Sequence, residues 1–155
     1  GLVLPGGFPE EHAAELCANV ALRAEVAALA ASGAPVHAEC AGLLYLGRAL
    51  DGLPMCGVLD TEAAMTGRLT LGYRDAVALS GSVLHDEGTR VTGHEFHRST
   101  VTPRGSDPPA WGWAGEPTEG FVRGGVHASF LHTHPAGSPA AVARFVASCH
   151  REGPP

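Results

Sequence analysis

The stretch from Gly33 to Leu50 constrains this chain more than any other. A Gly-Ala-Pro turn, Gly33 to Pro35, leads into a short extended run, Val36-His37-Ala38-Glu39. Cys40 follows on a tight corner, and the small residues Ala41 and Gly42 open an apolar segment read as a helix over Leu43 to Leu50. Strand, sharp corner and helix make the geometry of a nucleophile elbow, which holds a side chain at the tip of a sheet beside the free N–H groups of a helix. Such N–H groups and the positive end of the helix dipole favour a thiolate, the reactive form of cysteine. A lone Cys is more often a small buried hydrophobe, so the corner and its small neighbours, rather than the thiol itself, point to chemistry.

The 155 residues fit one domain with a substantial core. We assign residues 1–150 to it and residues 151–155 to a tail. Formal net charge is −6, and all ten cations are Arg. An acidic chain with no basic run argues against a nucleic-acid partner, and the absence of Lys removes Schiff-base and P-loop chemistry. No apolar run is long enough to span a bilayer. The four cysteines, Cys17, Cys40, Cys56 and Cys149, show no CxxC pairing, which favours free thiols in a reducing compartment, the cytoplasm.

Gly1-Leu2-Val3-Leu4 is an apolar β run that begins at the first residue, so the chain is expected to be a fragment lacking upstream structure. Pro5-Gly6-Gly7-Phe8-Pro9-Glu10 is a glycine turn at the strand's C-terminal end, where ligands bind in open α/β sheets. Adjacent glycines let backbone N–H groups face a ligand, although a plain strand-to-helix turn accounts equally well for these residues. Glu10 to Ala31 reads as helix, with a stripe of Leu22, Val26 and Leu29, a break and new cap at Asn19, and a stop at Gly33. With the elbow this makes β–α–β–α, the rhythm of an open, mostly parallel sheet flanked by helices.

After Asp51-Gly52 the pattern changes to short strands at Met55 to Leu59, Arg68 to Tyr73, Ala76 to Leu79 and Val91 to Ser99. Pro103 to Glu119 is a loop rich in Pro, Gly and Trp. Phe121-Val122 and Val126 to Leu131 form a hairpin about Arg123-Gly124-Gly125, and Ser138-Pro139 caps a last helix, Ala140 to Cys149.

A nucleophilic Cys40 needs a base, and His is suited to that role near neutral pH. Of nine His, His12, His85 and His150 fall in positions read as exposed, and His37 is expected to point away from Cys40. His132 sits at the end of an apolar strand, where catalytic residues collect, and His134 lies two residues on. His132 and His134 together with His94, Glu95 and His97 also permit a metal site, but without the HExxH pattern.

Four ordered motifs carry a more specific signal: Leu4-Pro5-Gly6-Gly7-Phe8-Pro9-Glu10, Ala38-Glu39-Cys40-Ala41-Gly42-Leu43, Gly93-His94-Glu95-Phe96-His97 and Ala128-Ser129-Phe130-Leu131-His132-Thr133-His134. In this order and spacing they resemble the glutaminase domain of the cobyrinic and hydrogenobyrinic acid a,c-diamide synthases. These are class I glutamine amidotransferases of cobalamin biosynthesis with a flavodoxin-like α/β fold. The resemblance implies that Cys40 is the nucleophile on the glutamine amide and His132 its base. It implies an oxyanion hole from the Gly6-Gly7 turn and the N–H of Ala41. It also places His94, Glu95 and His97 near the glutamine pocket, with Glu95 as partner of the substrate's α-amino group.

Two departures accompany it. Most class I amidotransferases carry a Glu two residues after the catalytic His; here that position is His134, so a dyad or an orienting group from elsewhere is expected. The synthases also have an ATP-binding synthetase domain with a P-loop, preceding the glutaminase domain. We expect this sequence to lack both it and the glutaminase domain's own first strand and helix. The resemblance thus implies no cofactor in this chain, with ATP, Mg²⁺ and the cobyrinate or hydrogenobyrinate substrate belonging to the synthetase domain. The competing readings are a metal-dependent hydrolase using the His cluster and a non-catalytic remnant of the fold.

Overall fold

The computed structural model describes residues 1–115 and 117–150, so the tail assigned to residues 151–155 lies outside the described residues. Strand β1 (Leu2–Leu4) runs parallel to β2 (Val36–Glu39), with Leu2 opposite Val36 and Leu4 opposite Ala38. On the other side of β2 lies β9 (Val126–Ser129), also parallel, followed by the antiparallel β8 (Phe121–Arg123). Val36, Ala38, Val126 and Ala128 are buried, as expected of strands covered on both faces. This sheet matches the α/β reading, and its β8–β9 hairpin turns at Gly124-Gly125.

Helix α1 (Ala13–Ala18) and helix α2 (Val20–Ala31) meet at Asn19, after a short 3₁₀ turn over Pro9–His12. The Asn19 side chain accepts a 3.1 Å bond from the N–H of Leu22, so the break expected at Asn19 is there. The expected apolar stripe is only partly buried: Val26 is in the core, Leu29 is half-buried and Leu22 is exposed.

Helix α3 (Ala41–Leu46) is apolar all round and buried from Gly42 to Leu46. It lies so close to β1 that a Cβ on Gly42 would press into the Leu4 carbonyl, which fixes glycine there. Truncating Leu43 or Leu46 to Ala would cost about 2–5 kcal/mol. The helix is shorter than its apolar run suggests. It stops at Gly47, and Ala49–Leu50 form strand β3. The segment read as a strand over Met55 to Leu59 is instead a loop that closes the helix end. Cys56 donates to the Tyr45 carbonyl (3.0 Å), Gly57 to that of Gly47 (2.8 Å), and Val58 and Leu59 both to that of Leu46 (2.9 Å each). Carbonyls orphaned at a helix C-terminus need such donors, and these N–H groups cannot also serve a ladder.

A second, mostly antiparallel sheet has the order β4 (Leu53–Pro54), β3, β5 (Glu62–Ala78) and β6 (Arg90–Thr102), with β7 (Trp111–Gly112) paired to β5. The two strands expected at Arg68 to Tyr73 and Ala76 to Leu79 are one continuous β5. The Arg74-Asp75 pair that interrupts the apolar pattern is absorbed by cross-strand partners: Arg74 meets Glu95, and Thr92 donates to Asp75 over 2.8 Å. The register shifts only between Met65 and Thr70. A smaller core of Ala76, Ala78, Ala110, Trp111 and Leu131 joins this sheet to the first. Here His85, read as exposed, is buried against Trp111 with ring centroids 5.3 Å apart. Helix α4 (Pro139–Cys149) follows Ser138, whose side chain makes no capping bond.

Candidate active site

Two bonds and one unusual backbone conformation make the corner at Cys40. Its φ of 49° and ψ of −100° lie in a sparsely populated region that costs a non-glycine residue on the order of 1–3 kcal/mol. The Cys40 N–H is pinned to the Ser129 carbonyl at 2.8 Å, and the Cys40 carbonyl accepts from Leu44 at 3.1 Å to start α3. Cys40 is 5% exposed, and its thiol approaches the Phe96 carbonyl at 3.9 Å. It opens into a cleft of about 80 Å³ lined by Gly7, Phe8, Leu44, Met65, Leu69 and Phe96, among others.

His132 follows β9 at the edge of the same corner. Its backbone exchanges hydrogen bonds with His94 of β6 (3.0 and 2.8 Å), and the two rings stack with centroids 4.9 Å apart. On the other side stands Gly6, where a Cβ would lie 2.5 Å from His132 Cε1. The glycine is therefore required by close approach to the imidazole. The thiol of Cys40 and then the carboxylate of Glu39 push the His132 pKa up to about 9, so the ring is an imidazolium at neutral pH. Its Nδ1 lies 3.5 Å from Glu39 Oε2, which leaves Nε2 for the thiol.

Glu39 was not among the site residues read from sequence. Its carboxylate also accepts from the Thr133 N–H (3.0 Å) and hydroxyl (3.2 Å), and Oε1 lies 3.3 Å from His37 Nε2. Burial opposes ionisation of Glu39, but His132, His37 and Thr133 outweigh it and hold the carboxyl well below the usual range. The signal was present in the sequence: residues 37 and 39 share one face of a strand by period two, and Glu39 adjoins Cys40 at the corner. His134, at the position of the usual triad Glu, is exposed and accepts from the N–H of Ala136 at 3.1 Å.

Gly7 borders Ala41, the ideal Cβ of Gly7 standing 3.7 Å from that of Ala41. Cys40, His132, Gly6, Gly7 and Ala41 thus meet at one corner, with His94 behind the imidazole. Glu95 does not join them. It is buried, with one oxygen 2.7 Å from Arg74 Nε and the other 3.3 Å from His97 Nε2. Those partners overcome the effect of burial and keep its pKa low. His97 stacks on Phe130 at 3.8 Å and reaches the cleft's edge. Alternation along β6 explains the split, since residues 94 and 96 face one side and 95 and 97 the other. Among the described residues, no three His, Cys, Asp or Glu side chains are grouped to hold a metal ion, and no helix is long and apolar enough to cross a membrane.

One further acid shapes the site from beneath. Glu119, 1% exposed, accepts from the Ser129 hydroxyl (2.5 Å) and the Phe130 N–H (3.2 Å), while the N–H of Leu131 donates to Ser129 Oγ (2.8 Å). This clamp sets the exit of β9 that delivers His132.

Comparison with known proteins agrees with this geometry. The chain is 63% identical over 96% of its length to the hydrogenobyrinate a,c-diamide synthase of Streptomyces coelicolor, 59% identical over 94% to that of Mycobacterium tuberculosis, and 42% identical over 96% to the cobyrinate a,c-diamide synthase of Gloeobacter violaceus. It spans 31%, 33% and 34% of those proteins, about a third of their length. A solved structure described as a glutamine amidotransferase superposes with a TM-score of 0.69 at 20% identity, covering 95% of this chain and 77% of the other, which shows the shared fold. Residues 1–140 match the family described as the CobB/CobQ-like glutamine amidotransferase domain, and with the elbow at Cys40 and the imidazole of His132 falling inside that match, the chain belongs to this family.

Proposed function

We propose that this chain is the glutaminase part of an ATP-dependent amide ligase, hydrolysing glutamine to glutamate and ammonia by a Cys-His mechanism. The observation that carries the reading is the strained elbow of Cys40 with the His132 imidazolium beside it at the mouth of a small cleft. The Cys40 thiolate attacks the side-chain carbonyl carbon of glutamine. The N–H of Ala41 and those of the Gly6-Gly7 turn receive the charge that develops on the oxygen. His132 gives its proton to the departing nitrogen, ammonia leaves, and a thioester remains. Water, deprotonated by the now neutral His132, releases glutamate and restores the thiolate and imidazolium. His97 borders the pocket, His94 stacks on the His132 ring behind it, and Glu95 supports the pocket by holding His97.

The ammonia is used to amidate the a and c carboxylates of cobyrinate or hydrogenobyrinate, as the names of the relatives suggest. ATP and Mg²⁺ act in a separate synthetase part. The residues here do not fit a nucleotide: the chain has no Lys, and its one glycine turn in the site is occupied by close approach to His132 and Ala41. The whole protein is expected in the cytoplasm.

The test uses the intact synthase carrying this domain. Cys40→Ser should abolish glutamine-dependent amidation and leave amidation with added ammonium salts intact. Equal loss of both would remove the glutaminase role.

A further inference from the structure

We infer that Glu39 is the positioning residue of this site, the acid that orients His132 in place of the Glu that other class I enzymes carry two residues after the catalytic His; this rests on the glutaminase reading above. Its carboxylate is the only acidic group the described residues place against the His132 ring, with Oε2 3.5 Å from Nδ1. An acid at Nδ1 keeps the imidazole in one orientation with Nε2 turned to the nucleophile and favours the imidazolium.

The carboxylate is itself fixed from three directions. The N–H and hydroxyl of Thr133, the residue after the imidazole, bind Oε1 at 3.0 and 3.2 Å, and His37 Nε2 stands 3.3 Å from the same oxygen. Backbone register supplies the rest. Glu39 pairs with Ser129 across parallel strands, and the Cys40 N–H is bound to Ser129. Acid and nucleophile are thus consecutive residues astride one strand end, with the base arriving from the neighbouring strand. The remaining charged or titratable groups around His132 are Cys40 and His94, neither of which is an acid able to replace Glu39. A purely structural Glu39 would need only its bonds to Thr133; the face turned to Nδ1 adds nothing to that role.

The experiment compares Glu39→Gln, Thr133→Val and Cys40→Ser in the intact synthase. Glu39→Gln keeps the size and an acceptor for Thr133 but removes the charge. It should lower kcat for glutamate release on the order of a hundredfold with KM little changed. The alkaline limb of the pH–rate profile, set by loss of the His132 proton, should move down by about one pH unit or more. Ammonia-dependent amidation should be unchanged. Thr133→Val loosens the carboxylate without altering its charge, and should cost several-fold in kcat; it serves as the deciding variant if Glu39→Gln does not fold. Full kcat with an unmoved alkaline limb in whichever variant folds, alongside a dead Cys40→Ser, overturns the role of Glu39 alone. Glutamine hydrolysis surviving in Cys40→Ser overturns the glutaminase reading beneath it.

Discussion

The imidazoles of His94 and His132 lie nearly parallel, inclined by 14° with centroids 4.9 Å apart, while their backbones exchange two hydrogen bonds. His132, the proposed base, is therefore held by the second sheet as well as by the strand that delivers it. The β5–β6 arm thus helps frame the candidate site.

Removing the stack should weaken the site without collapsing it. An aromatic pair contributes about 0.5–1.5 kcal/mol beyond its area, so His94→Ala should lower glutamate release by roughly twofold to tenfold. Gly93→Ala should be far worse, because its Cβ would stand 2.5 Å from the His132 carbonyl and 2.8 Å from Leu131 Cγ. Steady-state kinetics and a melting curve on both variants measure the contrast; a harmless Gly93→Ala would refute the tight junction.

The two glycines of the first turn should also separate. Alanine at either position keeps the backbone N–H. At Gly6, however, the methyl group would meet His132 Cε1 at 2.5 Å, whereas at Gly7 its nearest neighbour is the Ala41 methyl at 3.7 Å, an ordinary contact. Gly6→Ala is expected to lose at least about a hundredfold in glutamate release, in the range seen when a general base is lost. Gly7→Ala should keep most activity if the cleft accepts the methyl group. Equal losses would mean that the His132 clash is not what fixes Gly6.

Much of this site was legible in the chain because its parts are local. The elbow is contiguous, and the Gly6-Gly7 turn and His132 each lie at the end of an apolar run, so motif and position agreed. What was missed depended on pairing. Glu39 became an anchor only when β9 brought His132 and Thr133 alongside β2. Glu95 was assigned to substrate by the resemblance alone, and the register of β5 against β6 adds what the sequence could not show, that Arg74 and His97 stand against its two oxygens. Met55 to Leu59 looked like a strand from its apolar residues, but its N–H groups go to the end of α3. His85 is polar in sequence and buried in fact, covered by Trp111 of β7, a strand within the segment read as a loop.

Thiol reactivity should divide by reagent. Cys149 lies on α4 and is exposed, whereas Cys40 and Cys56 are buried. Burial pushes the Cys56 thiol up to about 11, so it should stay inert. A small generic alkylating agent is thus expected to modify Cys149 readily, while a glutamine analogue with an electrophilic side chain should modify Cys40. Peptide mapping by mass spectrometry reads the outcome, and an analogue adduct at Cys149 or Cys56 in place of Cys40 would contradict the assigned nucleophile.

His132 links the site to stability. Its folded pKa of about 9 lies above the ordinary imidazole value near 6.5. The stabilisation from its imidazolium is therefore fully present below pH 6.5 and is lost as pH rises through about 9. Denaturant unfolding at pH 6.5, 8 and 9.5 should show wild type losing stability across this window more steeply than His132→Gln. Parallel curves for the two proteins would mean that His132 carries no such coupling.

Glu119 should act in the same direction, over a lower pH window. Burial pushes its carboxyl up to about 7, against the lowering effects of Ser129, the Phe130 N–H and Arg104. The folded protein then holds a proton that the unfolded chain releases near pH 4.5, so stability attributable to Glu119 falls as pH rises from about 4.5 to 7. The full difference corresponds to a cost of about 3 kcal/mol above pH 7. Glu119→Gln removes the charge while keeping an acceptor for the Ser129 hydroxyl or the Phe130 N–H. Urea unfolding at pH 5, 6 and 7.5 should show the variant's stability relative to wild type rising with pH, even if its absolute value is lower at pH 5. A relative stability independent of pH would mean that Glu119 is ionised throughout and clamps the approach to His132 as a carboxylate.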